Sequence, residues 1–210
     1  MEQAVSVEPA SSNYHLWLGR ALGRRAGSSS VLSALRFAVK ARQHFEAAVR
    51  LDPNNIEALD DLFEYYLSAP GFLGGGIEKA EGLARRIDRV EPAEGHYALY
   101  RLAEKRKRFD EADRELRLAA KEAPMQVGRL IDLARFLAGQ GKWAESESVF
   151  EWAQRIAPDD PRLLFARAET YMYSRRNLSS ARQLLNRYLS AKLTPDDPPR
   201  REAEALMSRL

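Results

Sequence analysis

The chain has 210 residues, 45% hydrophobic and 30% charged, enough to bury a core in one domain or one continuous array. It contains no cysteine, which excludes disulfides, thiolate catalysis and zinc-finger sites. A net charge of +3 and a pI near 9.2 fall well short of the basic footprint of electrostatically driven nucleic-acid binding, and no apolar run approaches the roughly 18 residues of a membrane span.

Strand signals are weak throughout. Alternating Val/Ile/Thr runs are absent, while Ala, Leu, Arg and Glu recur at three- and four-residue spacing, which predicts an all-α chain. The N-terminal "MEQAVSVEPASS" lacks the basic start and apolar core of a signal peptide, which leaves a soluble chain in either cytoplasm or periplasm. Residues 1–12 read as the close of a second helix whose first helix is missing. Such an end could self-associate through an uncovered apolar face.

From there the pattern proceeds in pairs. His15, Leu18, Gly19 and Leu22 mark a first helix, and Ala41, Phe45 and Ala48 a second, closed by Pro53. Between them "AGSSSVLSALRFAVK" adds helical turns, because Leu32, Leu35 and Val39 keep helical spacing. The second pair has Leu59, Leu62, Phe63 and Tyr66, then Ala80 and Ala84, closed by Pro92. The third has Leu99, Tyr100 and Ala103, then Ala112, Leu116 and Ala119, closed by Pro124. The fourth has Leu130, Leu133, Ala134 and Leu137, a "GKW" turn, then Ser146, Phe150 and Ala153, closed by Pro158. The fifth has Leu164, Ala168 and Tyr171, then Ala181 and Leu185, with Pro195 beyond. Residues 196–210 predict a closing helix, with Asp197 as cap, Pro198 and Pro199 at its start, and Ala203, Leu206, Met207 and Leu210 on one face.

The turn prolines Pro9, Pro53, Pro92, Pro124, Pro158 and Pro195 are separated by 44, 39, 32, 34 and 37 residues. A period near 34 with two helices per unit, together with these small and large residues, resembles the tetratricopeptide repeat over residues 13–195. Phe63 and Tyr100 depart from the glycine slot of that pattern, and Ser146 from its alanine slot. The resemblance implies a right-handed α-solenoid of about five helix pairs with a C-terminal capping helix. One pair cannot bury its apolar face alone, so neighbours must stack. It also implies a non-catalytic protein–protein interaction scaffold with no cofactor.

"APGFLGGGIEKAE" invites comparison with a phosphate-binding loop, which needs Gly-x4-Gly-Lys-Ser/Thr. Gly71 and Gly76 have the separation, but Ile77 and Glu78 stand where lysine and hydroxyl belong, and Lys79 comes two residues late. The segment reads instead as an enlarged PGxxGG turn, which resembles one in some bacterial tetratricopeptide proteins. The histidines His15, His44 and His96 form no zinc motif, and no nucleophile, base and orienting residue assemble. Basic clusters at 23–25, 105–108 and 174–176 fall at the ends of first helices, where cations complement the helix dipole. A helical-repeat nucleic-acid binder using them is the alternative reading.

In tetratricopeptide arrays first helices line the concave face. Carrying that geometry onto this register selects Leu16, Arg20, Asp60, Glu64, Tyr97, Arg101, Lys105, Ile131, Arg135, Phe165, Glu169 and Tyr173 as partner-binding residues. Their mixture of aromatic, apolar and charged side chains suits an extended peptide of alternating charge. The Lys-Asn pattern of the clamp for chaperone carboxylates is missing from these slots.

Overall fold

The computed structural model describes residues 8–210, and the expected end of a preceding helix in residues 1–7 lies outside the described residues. Among the described residues there are eleven α-helices, one short 3₁₀ turn and no strand, in the repeated pairs of an α-solenoid. They divide into two compact units, Met1–Glu115 and Leu116–Leu210.

The first unit holds α1 (Ser12–Gly27), α2 (Val31–Leu51), α3 (Ile56–Ser68), α4 (Ile77–Val90), α5 (Pro92–Lys105) and the start of α6 (Phe109–Glu122). The insertion expected after the first helix lengthens the first pair, so that α2 alone runs 21 residues. Asn55 sets the start of α3. Its carbonyl oxygen accepts from the Ala58 amide at 3.1 Å, and its amide donates to Ser12 Oγ at 2.9 Å and Asn13 Oδ1 at 3.0 Å. One capping side chain thus ties two helix starts together.

Gly19 and Phe45 show why the first pair needs a glycine. A Cβ at Gly19 would lie 2.6 Å from Phe45 Cε1, so the ring occupies the space a side chain would take. In the second pair the sizes are exchanged, with Phe63 in the glycine slot and Ala84 in the phenylalanine slot, both buried in one cluster. The departure at Phe63 is therefore a redistribution of volume, which close packing tolerates far better than a net change.

Pro92 does not close the second pair as expected. It opens α5, and Glu91 alone separates α4 from α5. Proline suits a first helical position because its missing N–H has no intrahelical acceptor there. The abrupt junction brings the backbones together: a Cβ at Gly95 would lie 2.2 Å from Asp88 Cα.

The second unit holds the end of α6, then α7 (Val127–Gly139), α8 (Trp143–Ile156), α9 (Pro161–Ser174), α10 (Leu178–Ser190) and α11 (Arg200–Met207). Ser146 is buried and its Oγ donates to Ala134 O at 2.7 Å, which satisfies the hydroxyl that replaces alanine. Ala203 is fully buried, and Leu206, Met207 and Leu210 pack on the cluster around Leu185 and Tyr188. Asp197 does not cap α11 as expected; it accepts from the Thr194 amide at 2.7 Å and hydroxyl at 2.9 Å. The two prolines that follow extend the chain before α11 begins, so the carboxylate closes its own turn.

Lys107, Gly141 and Arg175 follow one another at 34-residue intervals, and all three have positive φ (58°, 74° and 52°). Each ends a first helix in the same way. The amide at 107, 141 or 175 donates to a carbonyl three residues back, and the next amide (108, 142 or 176) donates five residues back. This is the double closure of a Schellman motif, whose left-handed residue is usually glycine. Lys107→Gly and Arg175→Gly should each raise stability by about 0.5–1 kcal/mol, since a side chain is disfavoured there. Gly141→Lys should lower it by a similar amount. Urea midpoints moving the opposite way would remove the strain argument.

Candidate functional site

The glycine-rich loop is closed upon itself. Leu73 and Gly75 donate to Pro70 O, Gly74 donates to Gly71 O, and Gly76 reaches back to Tyr66 O. A phosphate cradle requires such amides to be free and convergent. Gly74 takes a φ of 86°, and a Cβ at Gly75 would lie 1.8 Å from Ala69 O, so both glycines serve the turn. Lys79 donates to Gly74 O at 2.8 Å and lies over the Tyr66 ring. Its displacement from the phosphate-loop position has a structural use.

His15 and His44 meet, with Nδ1 atoms 2.9 Å apart, although 29 residues separate them in the chain. No group of three or more His, Asp or Glu residues that could hold a metal occurs among the described residues.

The first helices are joined by ion pairs that the sequence reading did not anticipate. In the first unit Arg20 reaches from α1 to Asp61 at 2.5 Å and Glu57 at 2.8 Å on α3. Glu64 on α3 pairs with Arg101 on α5 at 2.8 Å. In the second unit Arg135 on α7 pairs with Glu169 on α9. Desolvation lowers the Arg101 pKa, but Glu64, Tyr97 and Tyr100 outweigh it and raise the pKa. All these pairs are partly exposed, so each is worth about 0.2–1 kcal/mol and can be exchanged for a ligand's charge at small cost.

Each unit has a cleft beside such a pair. In the first unit Glu64, Arg101 and Lys105 line a cleft of about 340 Å³ with Leu67, Ser68 and Lys107. In the second unit Arg135, Glu169 and Tyr173 line one of about 520 Å³ with Trp143, Thr170 and the open backbone at Gly139 and Gly141. Tyr173 is 90% exposed, and Arg176 lies over the Trp143 ring, 5.2 Å from its centroid. In the sequence Trp143 belongs only to the "GKW" turn. Its place beside Tyr173 depends on the packing of two repeats, which residue spacing does not encode.

Three of the twelve expected residues do not face outward. Leu16, Ile131 and Phe165 are 1%, 5% and 4% exposed and belong to the core. Leu16 lies in the cluster of the first unit, and the Phe165 ring packs 5.3 Å from Tyr188. The apolar stripe of a core helix is wider than two positions per turn, so the residue beside a packing position is drawn inward when it is apolar. Asp60 and Tyr97 are half-buried, Tyr97 against Tyr100. Asp61, the neighbour of Asp60, meets Arg20, as does Glu57.

Each basic cluster lends at least one cation to the fold. Arg25 covers the Phe37 ring at 4.7 Å, and Arg176 covers Trp143. Arg106 reaches Glu81 at 2.6 Å. Hydrogen bonds from Arg106 and Arg85 hold the Glu81 carboxyl below the usual carboxylate range.

No protein-family model and no curated protein matches the chain. Solved structures do. It is similar to TTC0263, a thermophilic tetratricopeptide-repeat protein of Thermus thermophilus, with 24% identity and a TM-score of 0.65 over 95% of this chain and 100% of that one. It is similar to pilF of Pseudomonas aeruginosa, with 17% identity and a TM-score of 0.62 over 94% and 82%. A third likeness is to YrrB, described as a tetratricopeptide-repeat protein with an unusual peptide-binding site, with 16% identity and a TM-score of 0.52 over 100% and 97%. At these identities the likeness establishes the fold, which is that of tetratricopeptide-repeat proteins.

Proposed function

We propose that this tetratricopeptide fold acts as a non-catalytic interaction scaffold whose first helices bind an extended partner segment. The observation that carries the reading is the cleft of the second unit, about 520 Å³, with Trp143 and the highly exposed Tyr173 beside the Arg135–Glu169 pair. Exposed aromatics and arginine are the residues that most often anchor interfaces. The Glu64–Arg101 pair beside the cleft of the first unit offers a second anchor of the same kind. Both signs of charge stand at each cleft, so the favoured ligand alternates acidic and basic residues around an apolar or aromatic anchor. The peptide-binding site described for YrrB lends the reading support by analogy of fold.

Peptides selected from a random library against the full chain provide the test. Arg101→Glu combined with Arg135→Glu should reverse two partly exposed cations and weaken the selected peptides by about tenfold or more, with helicity unchanged. Undiminished binding to that variant would place the binding surface elsewhere.

A further inference from the structure

The α1–α2 hairpin carries a feature that the partner-binding reading does not use. From Pro9 to Phe45 the chain has no acidic residue and six cations, Arg20, Arg24, Arg25, Arg36, Lys40 and Arg42, although the whole chain carries only +3. Such asymmetry within a nearly balanced chain marks a surface for an anionic partner. Arg20 and Arg42 are committed to Glu57, Asp61 and Glu46, and Arg25 covers Phe37. Arg24, Arg36 and Lys40 are exposed.

The tip itself is apolar. After the serines Ser28–Ser30, α2 opens with Val31 and Leu32, 77% and 76% exposed. Leu32, Arg36 and Lys40 recur every four residues and form one stripe along α2. At 1.5 Å per residue, Arg36 lies about 6 Å and Lys40 about 12 Å behind Leu32. An exposed apolar tip with cations that far behind it matches the layering of a membrane interface, where apolar side chains enter roughly 5–10 Å and cations meet lipid phosphates.

We propose that this tip docks on anionic lipid bilayers, with Val31 and Leu32 inserted and Arg24, Arg36 and Lys40 on the headgroup phosphates. The aliphatic character of the tip selects lipid over single-stranded nucleic acid, which is bound by stacking bases on exposed aromatic rings. Phe37, the aromatic nearest the tip in sequence, lies beneath Arg25, and the exposed Trp17 stands ten residues before the end of α1 at Gly27.

The test uses the full chain and vesicles of phosphatidylcholine, alone or with about one third phosphatidylglycerol. The chain should sediment with the anionic vesicles only. Each cation removed should weaken binding about fivefold, so Arg24→Gln, Arg36→Gln and Lys40→Gln together should weaken it on the order of 100-fold. Val31→Ser with Leu32→Ser should weaken it about tenfold by removing the inserted area. Because the chain has no cysteine, Leu32→Cys admits a single environment-sensitive dye. Its emission should shift to the blue on anionic vesicles, and a dye that stays in water overturns insertion. Failure to bind the vesicles overturns the proposal, as does retention on polyuridylate RNA, without vesicle binding, that the triple glutamine variant loses. That last result would make the tip a nucleic-acid surface.

Discussion

Gly95→Ala should destabilise the protein by about 2–3 kcal/mol, whereas Gly82→Ala, one helix earlier, should stabilise it by up to about 1 kcal/mol. Both residues are helical glycines in neighbouring helices, so propensity alone predicts a gain at each. Their surroundings differ. A methyl at Gly95 would meet Asp88 Cα at 2.2 Å and Asp88 N at 2.7 Å, main-chain atoms held by α4. Nothing lies within 4 Å of a methyl at Gly82. A flexible side chain could yield, but here α4 and α5 must separate where Glu91 alone joins them. Urea unfolding checks the pair, with midpoints shifted in opposite directions and slopes unchanged. Two shifts of the same sign would mean that the α4–α5 junction relaxes freely.

Trp143→Ala should weaken a cleft-binding peptide by about 2 kcal/mol or more, and Tyr173→Ala by about 1–2 kcal/mol. Trp143 forms one wall of the cleft of the second unit and carries Arg176 on its face, so its loss removes area and frees a cation together. Tyr173 is already exposed in the unbound chain, which makes its truncation harmless to the fold. The two effects should not add, because both residues line the same cleft. Calorimetry with peptides selected on the full chain measures them, alongside circular dichroism to verify helicity. Loss confined to Trp143→Ala, accompanied by reduced helicity, would recast that residue as a support of the fold.

The pairing of helices was legible because it is written in local signals: apolar residues at helical spacing and prolines near 34-residue intervals. The special role of Gly95 was not legible, because its constraint comes from Asp88 on the preceding helix rather than from its own neighbours. Pro92 is ambiguous in the sequence, because proline both fails to continue one helix and favours the start of the next. Only the absence of a connecting loop decides between them. Arg101, Arg135, Glu169 and Tyr173, which repeat register selects, line the two clefts. The acids that meet Arg20 are not legible in this way, because the engagement of Glu57 and Asp61 depends on the rotation of one helix against another. Leu16, Ile131 and Phe165 failed for a related reason: an apolar residue at the margin of a stripe follows the core when space is offered.

The exchange of large and small residues between the first two pairs bears on how such a chain can change over time. Phe45 fills the space left by Gly19, while Phe63 and Ala84 hold the opposite assignment. A recombination event that moved α3 alone into the place of α1 would set one phenylalanine against another. Exchange of α1 alone into the place of α3 would leave a void beside Ala84. Moving either helix with its mate preserves the fit. The heritable module in this protein is therefore the matched pair, and viable breakpoints should fall between pairs, at turns such as 52–55, rather than between the two helices of one pair.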